Sequence, residues 1–280
     1  MHIKKNFILY RTDKKPILID TFYNEDVKNQ PLIIFCHGYK GFKDWGAWNL
    51  MAETIAKEGF CLIKFNFSHN GGTMENPIVF QDLEAFGNNN YTKELDDLND
   101  VIDWSVETLK NNDCVNTSNI NLIGHSRGGG ITILKASEDP RITKLITLAS
   151  VCDFGKLTAT IGDLEEWKKQ GVKYVLNGRT KQQMPHFYQF YEDFKANEER
   201  LHIETAEKRL TIPHLIIHGD NDTSVKIDEA YALHLWNPKT KLEIIENADH
   251  VFNVKHPWEK DELSEELLSV TRLFFEFVKK

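Results

Sequence analysis

The sequence is poor in what would bind nucleic acid, zinc or a bilayer. Lysine and arginine together number 34 against 42 aspartates and glutamates, leaving a formal net charge of −8 over 280 residues. No basic field is available to attract phosphate or an anionic membrane surface, so neither nucleic acid nor membrane is an expected partner. Cysteine occurs four times, at Cys36, Cys61, Cys114 and Cys152, without a Cys-x-x-Cys pair or a Cys/His cluster. That argues against a structural zinc site. Cys36, Cys61 and Cys152 lie in or beside apolar runs and read as core thiols, in keeping with a reducing compartment. The first apolar run, Phe7 to Tyr10, is four residues long before charges resume. It lacks the longer apolar segment and cleavage site of a signal peptide. No run approaches the roughly 20 apolar residues of a membrane span. The expected location is the cytoplasm. Internal repeats, low-complexity segments and any signal of oligomeric state are also missing, and the length suits one domain carrying an insertion.

What is present is a rhythm of strands and helices. "KPILIDTFY" alternates loosely and reads as an edge strand. "PLIIFCHG" is a continuous apolar run, as a strand buried on both faces of a parallel sheet requires. "WNLMAETIAKEG" has helical spacing, with Leu50, Ile55 and Ala56 on one side and Gly59 as a stop. "FCLIKFNF" is the next strand. "TKELDDLNDVIDWSVETLK" is an amphipathic helix with Leu95, Leu98, Ile102, Val106 and Leu109 on one stripe. "NINLIGHS" is a strand, "GGGITILKASE" a helix, and "ITKLITLAS" a strand. This β-α-β series predicts an α/β fold with a mostly parallel, doubly wound sheet.

The rhythm breaks after Asp153. Residues 154–210 are polar, charged and aromatic, with helical stretches and no buried strand. They are expected to form a helical cap or lid, inserted after the strand that ends near Ser150. Within them "MPHFYQFYEDF" reads as one helical stretch carrying Phe187, Tyr188, Phe190, Tyr191 and Phe194. The strand "IPHLIIHGD", the helix "VKIDEAYALHLWN" and the strand "TKLEIIEN" then resume the core. A last helix follows, with Leu263, Leu267, Val270, Phe274 and Phe277 on its apolar face. The lysine pair at its end suits the negative pole of a helix. The core is therefore placed at 1–153 and 211–280, and the insertion at 154–210.

One short stretch carries the chemistry. "NLIGHSRGGG" contains Gly124-His125-Ser126-Arg127-Gly128, a Gly-x-Ser-x-Gly pattern that follows one predicted strand and opens one predicted helix. The plainer reading is a glycine-rich turn with an incidental serine. The strand-before, helix-after context favours a nucleophile elbow, in which the turn is too tight for side chains on either side of Ser126. The helix behind it aims its amino end at developing negative charge. A serine hydroxyl needs a base, and the base an orienting acid. "LIIHGDNDTSV" offers Asp220 and Asp222 at a strand end, and "LEIIENADHVF" offers His250 at the last one. Asp222 is favoured as acid and His250 as base. Asp153 rivals the first and His256 the second. His218, inside a strand, reads as a core or supporting residue, Asp220 as a loop-shaping one, and Asp249 as solvent-facing. The oxyanion needs two N–H donors, each worth about 3 kcal/mol. Arg127, after the serine, and Tyr39, in the loop "CHGYKGFKDW", supply them. No metal or cofactor is called for.

The pieces "HGYKGF", "NFSHNGG", "GHSRGG", "HGDNDTSV" and "ADHVF" resemble the α/β-hydrolase family of serine esterases and peptidases. Within it they are similar to the cinnamoyl (feruloyl) esterase-like and serine aminopeptidase-like branch. The resemblance covers nearly all the chain outside the insertion. It implies Ser126 as nucleophile, Asp222 as acid, His250 as base, and Tyr39 and Arg127 as backbone donors. It also implies a serine esterase acting on a small-molecule ester through an acyl-enzyme. A peptidase or amidase using the same triad, and a non-catalytic binding protein on the same fold, are the alternatives. Ser126 sets the chain apart from dienelactone hydrolases, which carry cysteine at the elbow, and from dehalogenases, which carry aspartate there. Arg127 stands where Gln or Met is common, and its side chain either attracts a substrate carboxylate or braces the elbow. The cap aromatics, Trp45 and Trp48 either line a pocket or anchor packing, and "NPIVFQDLEAFGNNN" is a second candidate for the pocket rim.

Overall fold

The computed structural model describes residues 1–279. In chain order its strands are β1 (His2–Arg11), β2 (Lys14–Tyr23), β3 (Gln30–Cys36), β4 (Cys61–Phe65), β5 (Val115–His125), β6 (Ile142–Leu148), β7 (Val172–Leu176), β8 (Gln183–Phe187), β9 (His214–Gly219) and β10 (Lys241–Ile245). Its helices are α1 (Trp48–Lys57), α2 (Leu83–Gly87), α3 (Tyr91–Leu109), α4 (Arg127–Glu138), α5 (Phe154–Ala159), α6 (Leu164–Gln170), α7 (Gln189–Ala196), α8 (Ile203–Arg209), α9 (Ile227–Trp236) and α10 (Glu265–Val278). Eight strands form one sheet in the order β1-β2-β4-β3-β5-β6-β9-β10. From β4 to β10 every pairing is parallel, while β1 and β2 join antiparallel. This is the α/β-hydrolase fold, with a mostly parallel sheet wound on both faces.

Successive residues of β3 explain its uninterrupted apolar run. Side chains of a strand alternate between faces. Leu32 and Ile34 enter the cluster that includes Leu95 and Leu98 of α3 and Ile131 of α4. Ile33 and Phe35 enter the opposite cluster, with Met51 and Ile55 of α1 and Leu267 and Phe274 of α10. Both faces are dry, so neither set can be polar. The four cysteines are free and buried. Among the described residues, no helix is long and apolar enough to cross a membrane.

Two expectations need correction. "KPILIDTFY" is not the edge strand. It forms β2, which lies between β1 and β4, and Ile17, Leu18 and Ile19 in it are all buried. The edge on this side is β1, half of whose residues are exposed and none fully buried, with Lys4 and Lys5 side by side, which blurs the alternation that marks a strand. Nor is the segment between β6 and β9 purely helical. It holds α5 to α8 and a β7–β8 hairpin that pairs only with itself. "MPHFYQFYEDF" divides into a strand through Phe187 and a helix from Gln189. Pro185 accounts for the split, since it has no N–H and clashes within a helix interior. Smaller differences are that Leu50 is only half-buried while Met51 and Ala52 take the inner face of α1, and that Leu263 precedes α10, which Ser264 caps. Of the terminal lysine pair, Lys280 lies outside the described residues; Lys279 ends α10 and pairs with Glu58 at 3.1 Å.

Candidate active site

Ser126 stands between the end of β5 and the first residue of α4, with φ 56° and ψ −122°. That conformation is costly for a residue with a Cβ, on the order of 1–3 kcal/mol, and persists only where surroundings hold it. Here the Ser126 N–H donates to Leu148 O at 2.9 Å, and Ser126 O accepts from Gly129 N–H at 2.9 Å. The flanking glycines allow the close approach. A Cβ on Gly124 would lie 2.4 Å from the Gly128 carbonyl oxygen, and one on Gly128 would lie 2.5 Å from that of His37. The turn has no room for side chains on either side of the serine.

The turns after β9 and β10 meet at this point. Asp222 Oδ1 accepts the N–H groups of Ser224 and Val225 at 2.8 and 2.9 Å. Its Oδ2 accepts from His250 Nδ1 at 2.7 Å. His250 Nε2 is 3.0 Å from Ser126 Oγ. Burial pushes the Asp222 carboxyl up, but hydrogen bonds from His218 and His250 and the charge on His250 outweigh it, and the net value falls well below the carboxylate range. The histidine turn is tied down from behind: His125 Nε2 donates to the His250 carbonyl at 2.8 Å. Burial, then the charge of His250, lowers the His125 pKa to about 3, so its ring is neutral.

The rival residues are engaged elsewhere. Asp153 caps α5, accepting from Gly155 and Lys156 N–H. His256 Nδ1 accepts from Gly46 N–H at 2.9 Å, and its ring lies against Trp45. Asp220 accepts from Asn247 N–H at 2.7 Å and so shapes the loop. His218 is fully buried, donates to Val225 O at 2.9 Å and lies 3.3 Å from Asp222 Oδ2. Asp249, partly exposed, organises its own turn by accepting from Val251 and Asn253 N–H.

The loop after β3 reaches the serine from the other side. A Cβ on Gly38 would sit 2.8 Å from Ser126 Cβ, so the loop backbone lies directly on the serine. His37 fixes the turn. Its Nδ1 donates to Gly38 O at 2.9 Å and its Nε2 accepts Phe67 N–H at 3.2 Å. Burial lowers its pKa to about 4, which keeps it neutral. Among the described residues, the N–H groups of Tyr39 and Arg127 have no acceptor. The Arg127 side chain braces the elbow: its guanidinium is bonded to buried Glu94 and lies 4.8 Å from the centre of the Tyr39 ring. The far end of the loop is locked by a charged quartet, of which Asp20, Lys43 and Lys64 are fully buried and Asp44 partly so. Lys43 and Lys64 reach Asp20 at 2.8 and 2.6 Å, and both also bond Asp44. Two charges of each sign compensate one another, which a dry site demands.

A cavity of about 180 Å³ opens at Ser126 and His250, walled by Tyr39, Trp45, Trp48 and His125. Trp45 and Trp48 therefore line the pocket as well as packing. Of the aromatics in residues 154–210, Phe190 and Phe194 are buried in the main core and anchor the segment against Tyr91. "NPIVFQDLEAFGNNN" does not reach this cavity; Phe80 and Phe86 back the loop through Phe42 and Met184. Sequence reasoning missed His186, whose Nε2 shares a 2.6 Å hydrogen bond with Tyr39 Oη. It lies 147 residues from Tyr39 in the chain, and no local pattern marks it.

A family model for the alpha/beta hydrolase fold matches residues 31–182. An uncharacterized 31.7 kDa protein of the traX-finO intergenic region in Escherichia coli is 26% identical over 147 residues, 52% of this chain. The chain thus matches about half, 46%, of that relative's length. Among solved structures, Est1E from Butyrivibrio proteoclasticus is 18% identical with a TM-score of 0.71, covering 98% of this chain and 99% of that one. The same protein with ferulic acid bound gives 20% identity and a TM-score of 0.71, with 97% of each chain covered. An esterase domain from Rhodothermus marinus is 17% identical with a TM-score of 0.65, covering 99% and 98%. At these identities the likeness to the solved structures is one of fold.

Proposed function

The chain belongs to the alpha/beta hydrolase fold family, and from that premise we propose that it is a serine hydrolase cleaving a small carboxylic ester through an acyl-enzyme. His250 takes the proton of Ser126 as Oγ attacks the carbonyl carbon. Asp222 holds the imidazole with its Nε2 lone pair toward the serine and offsets the positive charge that forms. The Tyr39 and Arg127 N–H groups, lacking protein acceptors, receive the oxyanion. His250 then passes its proton to the leaving alcohol, and water activated by the same imidazole releases the acid from Ser126. In this reading residues 154–210 are a cap over the carboxyl edge of the sheet. The four free thiols fit a reducing cytoplasm.

The observation that carries the proposal is the unbroken run of bonds Asp222–His250–Ser126, at 2.7 and 3.0 Å, ending on a serine with positive φ. The esterase function named for the Rhodothermus neighbour and the ferulic acid held by Est1E are in line with an ester substrate. The test is a panel of p-nitrophenyl esters with matched anilides. Ester turnover is expected, and anilide turnover only weakly, because an amine leaves less readily than a phenolate. A preference for an aminoacyl anilide over its ester makes the protein a peptidase with the same triad. No turnover of either by folded protein favours a binding protein on this fold.

A further inference from the structure

A second cavity, of about 40 Å³, lies beneath the inserted segment, lined chiefly by Tyr91, Leu157, Ile161, Val175 and Phe190, with Arg127 and His186. It is mainly apolar, with room for about two or three water-sized groups. Tyr39 lines both this cavity and the one at Ser126, and no other residue does. Its ring is held in place from two directions. The Arg127 guanidinium lies 4.8 Å from the ring centre, and Oη is bonded to His186 Nε2 at 2.6 Å. His186 is itself fixed, because Trp167 Nε1 donates to its carbonyl at 2.7 Å. Burial, then the charges of Arg127 and Lys40, lowers the His186 pKa to about 3, so the ring bonded to Tyr39 is neutral.

We propose that the Tyr39 ring, held by His186, is a partition that sets the acyl length this site accepts, the space behind it being an extension, separated from Ser126 by the ring, for a longer aliphatic acyl chain. The inference rests on the serine hydrolase reading above. The side of the ester that faces the partition follows from proton transfer. His250 must reach the leaving oxygen, so the alcohol lies beside His250, in the outer cavity that His250 lines. The inner cavity is lined by neither His250 nor Val251. The part of the ester directed away from His250 is the acyl group. With the ring in place, a straight chain meets Tyr39; with the ring gone, it gains Leu157, Ile161, Val175 and Phe190 as partners.

The experiment compares kcat/KM on p-nitrophenyl acetate, butyrate, hexanoate and octanoate for the unaltered protein, Tyr39→Ala and His186→Ala. The Tyr39 donor is a backbone N–H and survives both changes. The unaltered protein is expected to favour the short esters. Tyr39→Ala raises the hexanoate-to-acetate ratio by about tenfold or more, since each methylene gaining a hydrophobic pocket is worth at least that much. His186→Ala moves the ratio the same way by less, because it frees the ring without removing it. The ratio is taken within each variant, so a general loss of activity does not move it. If Tyr39→Ala fails to fold, His186→Ala alone decides. A ratio that stays flat in Tyr39→Ala and His186→Ala, whatever their absolute rates, overturns the partition and leaves the serine hydrolase reading standing. Absence of turnover by the unaltered protein overturns both.

Discussion

Ser126 and Ser68 each touch a histidine and each belongs to a cluster containing an aspartate, yet the two clusters are wired in different orders. At Ser126 the bonds run serine to histidine to aspartate, through His250 and Asp222. At Ser68 the hydroxyl sits in the middle. Its Oγ is 2.8 Å from His69 Nδ1 and 3.1 Å from Asp97 Oδ1, and no bond joins the histidine to the carboxylate. Asp97 is instead paired with Arg11 at 2.6 Å and accepts Ser68 N–H at 2.7 Å. His69 is a poor base, its pKa lowered to about 4 by burial and then by Lys93, Lys15 and Arg11. Each serine lines a cavity of similar size, about 190 Å³ at Ser68 and 180 Å³ at Ser126. Neither residue types nor cavity volume separates the two. The order of the bonds and the positive φ, present at Ser126 and not at Ser68, do.

Three kinds of substitution sharpen this contrast. At the Ser126 cluster, Ser126→Ala is expected to cut kcat by about a million-fold, and Asp222→Asn by about ten thousand-fold through loss of the useful imidazole tautomer, with unfolding midpoints little changed. Steady-state kinetics on the best ester measures both. At the other cluster the expected effects are on stability. Burial raises the Asp97 pKa to about 6, with Arg11 and the Ser68 bonds opposing it. The unfolded carboxyl titrates near 4, so between about pH 4 and 6 the folded state keeps a proton that the unfolded state has released. Stability therefore declines as pH rises through that window, by roughly 3 kcal/mol from this group. Asp97→Asn removes that decline, seen in urea unfolding of variant and parent at several pH values; parallel curves contradict the assignment. The smallest effect is that of Ser68→Ala, which costs about 1–2 kcal/mol of stability through a lost hydrogen bond to a carboxylate and leaves kcat/KM unchanged. A large loss of turnover in that variant would erase the distinction between the clusters.

The contrast also marks what a sequence can convey. The elbow is legible because its parts are contiguous: a strand, two glycines four residues apart, a serine between them and a helix. His250 and Asp222 are legible because they follow apolar strands in the chain order that this fold imposes. The Ser68–Asp97 bond joins residues 29 apart, and Tyr39 meets His186 across 147. Such contacts depend on how loops fold over a sheet, and no spacing encodes them. The β7–β8 hairpin was obscured by five aromatics, although Pro185 carried a signal against a helix. The exposed β1 was obscured by its lysines, because an edge strand buries too little to show a clear period.

Labelling with a fluorophosphonate, followed by mass spectrometric mapping of the modified peptide, tests the central claim most directly. A single adduct per chain on Ser126, absent from Ser126→Ala, is the predicted result. An adduct on Ser68 or any other serine, or no adduct on folded protein under conditions that label a control hydrolase, would contradict it.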